Sequence, residues 1–149
     1  MKQVSDVVRK FFEDYERSID ASNPENGPER IASRYSDLFM FAGPQEAQAV
    51  KKEDFLKALP KRQSFFKTVG LTSSTIKSLE ETQLDDNYVM VKAYWNVRFE
   101  KEAGRSVVAE ISATYILFQE DSSLRIVFQL DHQNLMKTAQ DLGLLPASQ

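Results

Sequence analysis

The chain has 149 residues, 42% of them hydrophobic and 28% charged, with a net charge of −3. That length suits one domain able to bury well over half of its unfolded surface, and the acidic balance argues against broad nucleic-acid binding, which needs a basic face. There is no cysteine and a single histidine, His132, so disulfides, thiol nucleophiles and multi-histidine or cysteine metal centres are excluded, and no metal or other cofactor is expected.

Arg9, Lys10, Glu13 and Asp14 interrupt the N-terminal segment where a signal peptide would need an apolar run. No stretch approaches the roughly 18 apolar residues of a membrane span. The expectation is a cytoplasmic protein. Ten Phe, five Tyr and one Trp are many rings for this length, enough to fill a core, line a pocket, or both.

The first element is a helix whose apolar side carries Val4, Val7, Val8, Phe11, Phe12, Tyr15 and Ile19 at three-and-four spacing. Asp20-Ala21-Ser22-Asn23-Pro24 ends it, because Pro24 cannot continue a helix. Pro28 suits the first position of a short second helix that buries Ile31 and Tyr35. Asp37–Phe41 reads as a short strand stopped by Gly43-Pro44, and Gln45–Val50 as a loop with at most a brief strand. A third helix begins near Lys52, and Pro60 is expected to break or kink it before a second piece through Phe65, Phe66 and Val69 that Gly70 caps. Lys51, Lys52, Lys57, Lys61 and Arg62 form a basic cluster there, read as a solvated helix face.

Leu71–Leu84 suits an amphipathic strand with a bulge. Three long strands follow, Tyr88–Phe99, Ser106–Phe118 and Leu124–Asp131, then a helix from about Asn134 to Leu142. A four-residue turn over Lys101–Gly104 sets Glu100 against Arg105, which pairs Val97 with Val108, Trp95 with Glu110 and Ala93 with Ser112. That register puts Trp95, Glu110, Ser112, Thr114, Gln129 and Asp131 on one face, and Ile111, Ala113, Tyr115, Ile126, Phe128, Leu130 and His132 on the other. The second set is too apolar to stay wet on a monomer, so a homodimer through that outer sheet face is expected. No repeat or linker divides the chain, which reads as one α+β domain over residues 1–149.

The order helix, helix, short strand, helix, then four long antiparallel strands resembles the NTF2-like superfamily. That group includes nuclear transport factor 2, ketosteroid isomerase, scytalone dehydratase and the SnoaL-like polyketide cyclases. Three segments carry the likeness: Phe12–Tyr15 with Asp20-Ala21-Ser22, Tyr35–Phe41, and Leu142-Gly143-Leu144-Leu145-Pro146. The resemblance implies a cone, a curved sheet wrapped around helices with a pocket inside, and dimers formed through the outer sheet face. It also places Tyr15 near the isomerase's oxyanion-binding tyrosine. The chain departs from the isomerase at its catalytic acids, with Gly43-Pro44 in place of Asp-Pro and Thr114 near the second acid. One histidine is too few for the dehydratase arrangement.

The expected ligand-binding set is therefore Tyr15, Phe41, Trp95, Glu110, Ser112, Gln129 and Asp131, polar groups inside an apolar cup. Asp131, Glu110 and Tyr15 are the catalytic candidates: two carboxylates whose pKa values separate on burial, and a hydroxyl for an oxyanion. His132 falls on the face opposite Asp131 and is expected to be structural. Three readings stay open: a protein that binds a small, partly apolar molecule, a cofactor-independent isomerase, dehydratase or cyclase, and a protein–protein module. The first is favoured because the known enzymes' acids are not in their places.

Overall fold

A computed structural model describes residues 4–19, 27–101, 104–121 and 123–143. Helix α1 spans Asp6–Ser18 and starts where the Ser5 hydroxyl accepts the Val8 N–H, the usual role of an N-cap serine. Its apolar stripe is buried at Val8, Phe11, Phe12 and Tyr15, as the spacing requires. Helix α2 is short, Pro28–Ala32, with Pro28 in its first turn. The Asp20–Pro24 helix end and the Leu144–Pro146 segment lie outside the described residues.

Six strands follow in one sheet, ordered β2-β1-β6-β5-β4-β3. They are β1 (Tyr35–Ala42), β2 (Ala47–Lys51), β3 (Leu71–Asp85), β4 (Tyr88–Lys101), β5 (Arg105–Glu120) and β6 (Ser123–Asp131). All neighbours are antiparallel except β1 and β6, which run parallel. Helix α3 (Lys52–Thr68) connects β2 to β3, and α4 (Leu135–Asp141) follows β6, capped by the Asn134 side chain.

Of the expected break or kink at Pro60, helix α3 rules out the break: it runs on through Pro60. Proline inside a helix costs about 3 kcal/mol. Here Phe55, Leu56 and Leu59 before it and Phe65 and Phe66 after it all pack on the same side of the sheet. Burial on both sides of the proline offsets the lost hydrogen bond.

The β4–β5 register also differs from the expected one. Lys101 pairs with Arg105, leaving three residues in the loop instead of four. Each later pair slips by one: Val97 meets Ala109, Trp95 meets Ile111, Ala93 meets Ala113 and Val91 meets Tyr115. A slip of one residue transfers a strand's whole apolar set to the other face. Ile111, Ala113 and Tyr115 therefore belong to the helix-covered face, with Tyr115 only 2% exposed, while Glu110 and Thr114 lie outside.

On β6 a second correction follows from a bulge. Ile116 pairs with Phe128 and Leu117 with Ile126, so Val127 is the extra residue. The bulge lets Ile126 face inward along with Gln129, although the two differ by an odd number. The inner face thus carries Tyr35, Phe39, Val91, Ala93, Trp95, Tyr115, Leu117 and Ile126, buried against Phe12 and Tyr15 of α1. At the far end, Val69, Val97 and Phe99 pack with Phe65, Phe66, Leu135 and Leu142.

Candidate functional site

Between the inner face and the helices lies a cavity of about 230 Å³. Tyr15 of α1, Tyr35 and Phe41 of β1, Trp95 of β4, Tyr115 of β5 and Gln129 and Asp131 of β6 all line it, and Phe55, Leu59 and Phe66 of α3 close one side. A wider vestibule between the β1–β2 loop and the second half of α3 shares Phe41, Arg62, Phe66, Asp131 and Gln133 with it. Asp131 therefore lines both cavities.

A hydrogen-bonded chain crosses the floor. The Tyr15 and Tyr35 hydroxyls lie 2.9 Å apart, the Tyr35 hydroxyl donates to Gln129 Oε1 at 2.5 Å, and Gln129 Nε2 donates to Asp131 Oδ1 at 2.9 Å. An ionised carboxylate only accepts, so Asp131 turns the Gln129 amide and leaves its oxygen to Tyr35. Tyr35 has one proton and gives it to Gln129. The Tyr15 hydroxyl must then donate to Tyr35.

Burial drives the electrostatics. Desolvation raises the Tyr15 hydroxyl pKa above its ordinary value, and raises those of Tyr35 and Tyr115 well above it. The half-buried Asp131 carboxyl is likewise pushed up by desolvation, against the opposing pulls of the Gln129 hydrogen bond, Arg62 and His132. Among the described residues Asp131 makes no ion pair. Nor does it cap α4, a role taken by Asn134.

Of the expected site residues, Tyr15, Phe41, Trp95, Gln129 and Asp131 come together around the cavity. Ser112 borders it, but pairs with Tyr94 on the outer register and is tied down through its backbone N–H to Gln133 Oε1. Glu110 does not join them. It pairs with Asn96 on the opposite face, exposed, and meets Lys77 at 2.9 Å. The two carboxylates therefore form no acid–base pair. His132 is exposed, its Nε2 lying 2.7 Å from the Thr114 hydroxyl of the outer face.

Sequence reasoning missed Tyr35, Tyr115 and Arg62. Tyr35 continues the alternation of Phe39 and Phe41 two steps earlier, beyond the exposed Asp37, a signal hidden by assigning it to α2. Arg62 falls in the helical series Phe55, Leu59, Arg62, Phe66, visible once Pro60 is not taken as a break. Its guanidinium lies 5.3 Å from the Phe66 ring centroid and 6.0 Å from that of Phe41, within cation–π range. Tyr115 was lost to the register slip.

Comparisons with known proteins place this architecture. Aln2 from a Streptomyces species superposes with a TM-score of 0.69 at 14% identity, over 93% of this chain and 99% of that one. An NTF2-like protein with a cystatin-like fold from Novosphingobium aromaticivorans gives 0.66 at 13%, over 93% and 86%. The beta subunit of benzoate 1,2-dioxygenase from Burkholderia mallei also gives 0.66, at 14%, over 92% and 95%. Identities this low show a shared fold alone. No curated protein sequence matches the chain. The family described as "NTF2-like protein (DUF6841)" matches residues 3–134, and with a cone of six strands and four helices among the described residues in view, the chain belongs to the NTF2-like proteins.

Proposed function

We propose that this NTF2-like protein binds a small, partly apolar molecule inside the cone. The observation that carries the reading is a cavity with aromatic walls and one polar end, the Tyr15–Tyr35–Gln129–Asp131 chain. An apolar cup with a few convergent polar groups is the usual form of a small-molecule site. Roughly 150 Å³ holds a benzene, so the deep part takes a six-membered ring with a few substituents and the vestibule takes a tail. The cone's outer face supports a homodimer. Ile116, Phe118, Phe128 and Leu130 are half-exposed there, Met40 lies beside them, and the helices' core contacts are on the other face.

The test is a fragment screen by ligand-observed NMR, repeated on Ala113→Phe. Ala113 lines the cavity opposite Asp131 on the neighbouring strand, and a phenyl group there occupies the space. Hits should disappear in the folded variant. Hits that survive unchanged place binding elsewhere and defeat the reading.

A second reading, proton transfer at Asp131 without a cofactor, is favoured by the raised pKa of that carboxyl in the cavity lining. It uses one carboxylate where two were expected. On this reading Asp131→Asn abolishes turnover of an identified substrate while leaving its binding in place.

A further inference from the structure

The donor and acceptor pattern of the cavity floor selects its ligand. Because the Tyr35 proton is committed to Gln129 and the Tyr15 proton to Tyr35, neither hydroxyl has a proton left for a ligand. This removes Tyr15 as the oxyanion donor that the family likeness implied. What the floor still offers is acceptor capacity, the lone pairs of the two tyrosines and the second carboxylate oxygen of Asp131, whose Oδ1 alone is engaged. Gln129 Nε2 keeps a second N–H, and the Tyr115 hydroxyl and Trp95 indole also line the cavity, but a ligand that reaches the Asp131 carboxylate itself must bring a donor.

Charge sharpens the requirement. Asp131 is a half-buried carboxylate in no ion pair among the described residues, and a desolvated charge is costly until a counter-charge joins it. Tyr15, Tyr35, Phe41, Trp95 and Tyr115 line the same cavity, and aromatic walls with one carboxylate suit an organic cation. Arg62 and Lys67 of α3 line the cavity but are exposed, as is His132, so water weakens the pull that Arg62 and His132 exert on Asp131. Arg62 is held against Phe41 and Phe66 rather than paired to Asp131.

From this geometry we propose that the cone binds a ring-sized amine, with its ammonium group on Asp131 and its apolar body among the aromatic walls. The proposal rests on the ligand-binding reading above and names the ligand's chemical class.

Three probes of matched shape separate the possibilities: benzylamine, benzyl alcohol and benzoate. Trp95 is the chain's one tryptophan and lines the cavity, so its fluorescence and its indole N–H signal report occupancy directly. At neutral pH benzylamine should bind about tenfold or more tightly than benzyl alcohol, the value of a hydrogen bond to a charged partner. In Asp131→Asn that preference should vanish while benzyl alcohol still binds, which also shows the variant's cavity intact. Equal binding of amine and alcohol, or an amine preference that survives the substitution, overturns the proposal and leaves a pocket of other specificity. Benzoate binding tightest overturns it as well and makes Arg62 the anchor. If none of the three perturbs Trp95 at millimolar concentration, the amine proposal and the ligand-binding reading fall together.

Discussion

Asp131 is the residue on which the site turns, because it sets the direction of every hydrogen bond behind it. Its raised pKa comes first from desolvation, so the folded protein holds that proton more tightly than the unfolded chain does. The stability it contributes is then fully present below the ordinary value of 3.8 and is lost as pH rises through the folded value. Asp131→Asn removes this titration and keeps an acceptor for Gln129. The variant should melt higher than the parent at pH 7, with the difference shrinking towards zero on the acid side, as thermal unfolding followed across pH will check. Alternation put Gln129 and Asp131 on one face and the α1 stripe made Tyr15 inward, and the family likeness named that face as the pocket side. Their hydrogen-bond order was not legible, since it depends on atoms brought together from three elements.

Gly70 shows the same division at the level of elements. It closes α3 with φ at +93°, and its carbonyl accepts the Glu100 N–H at 2.8 Å, fastening the end of the helix to β4. A Cβ at this position would lie 2.4 Å from the Glu100 carbonyl oxygen. Gly70→Ala should therefore destabilise the protein by about 1–3 kcal/mol, the usual cost of a strained backbone conformation, measurable by urea unfolding. A glycine ending α3 was readable from the sequence, but the strand it touches was not. Helix α1 and the long strands were equally readable, because each repeats its period over three turns or ten residues. The two misreadings share one cause: a local rule was taken as final where burial on both flanks decided otherwise. Pro60 did not break α3, and the β4–β5 loop kept three residues because Tyr115, Ala113 and Ile111 gain burial only in that register.

For the molecule as a whole, the register slip moved Tyr115 inward without making the outer face polar. Ile116, Phe118, Phe128 and Leu130, each partly exposed, still share it with the exposed Met40 and the Thr114–His132 pair, an apolar row that supports the proposed homodimer. Light scattering after size exclusion should give about twice the 17.1 kDa chain mass. Ile116→Arg, which puts a charge in the middle of that face, should return the single-chain mass with the fold retained by circular dichroism. A parent protein at the single-chain mass would set the dimer aside without touching the cavity.

The sequence by itself determined the α+β class, the order of elements, the buried stripe of α1 and the shared face of Gln129 and Asp131 on β6. Each of these follows from periodicity, which local sterics impose on any chain. Only the tertiary structure decided which residues of β5 face the helices, that Glu110 pairs with Lys77 outside while Asp131 takes the Gln129 hydrogen bond within, and that Arg62 lines the cavity. Those outcomes depend on a loop one residue shorter, a bulge at Val127 and a helix that survives its proline. The physical reason is common to all three: each is a small local cost, settled by how much apolar surface the whole fold buries in return.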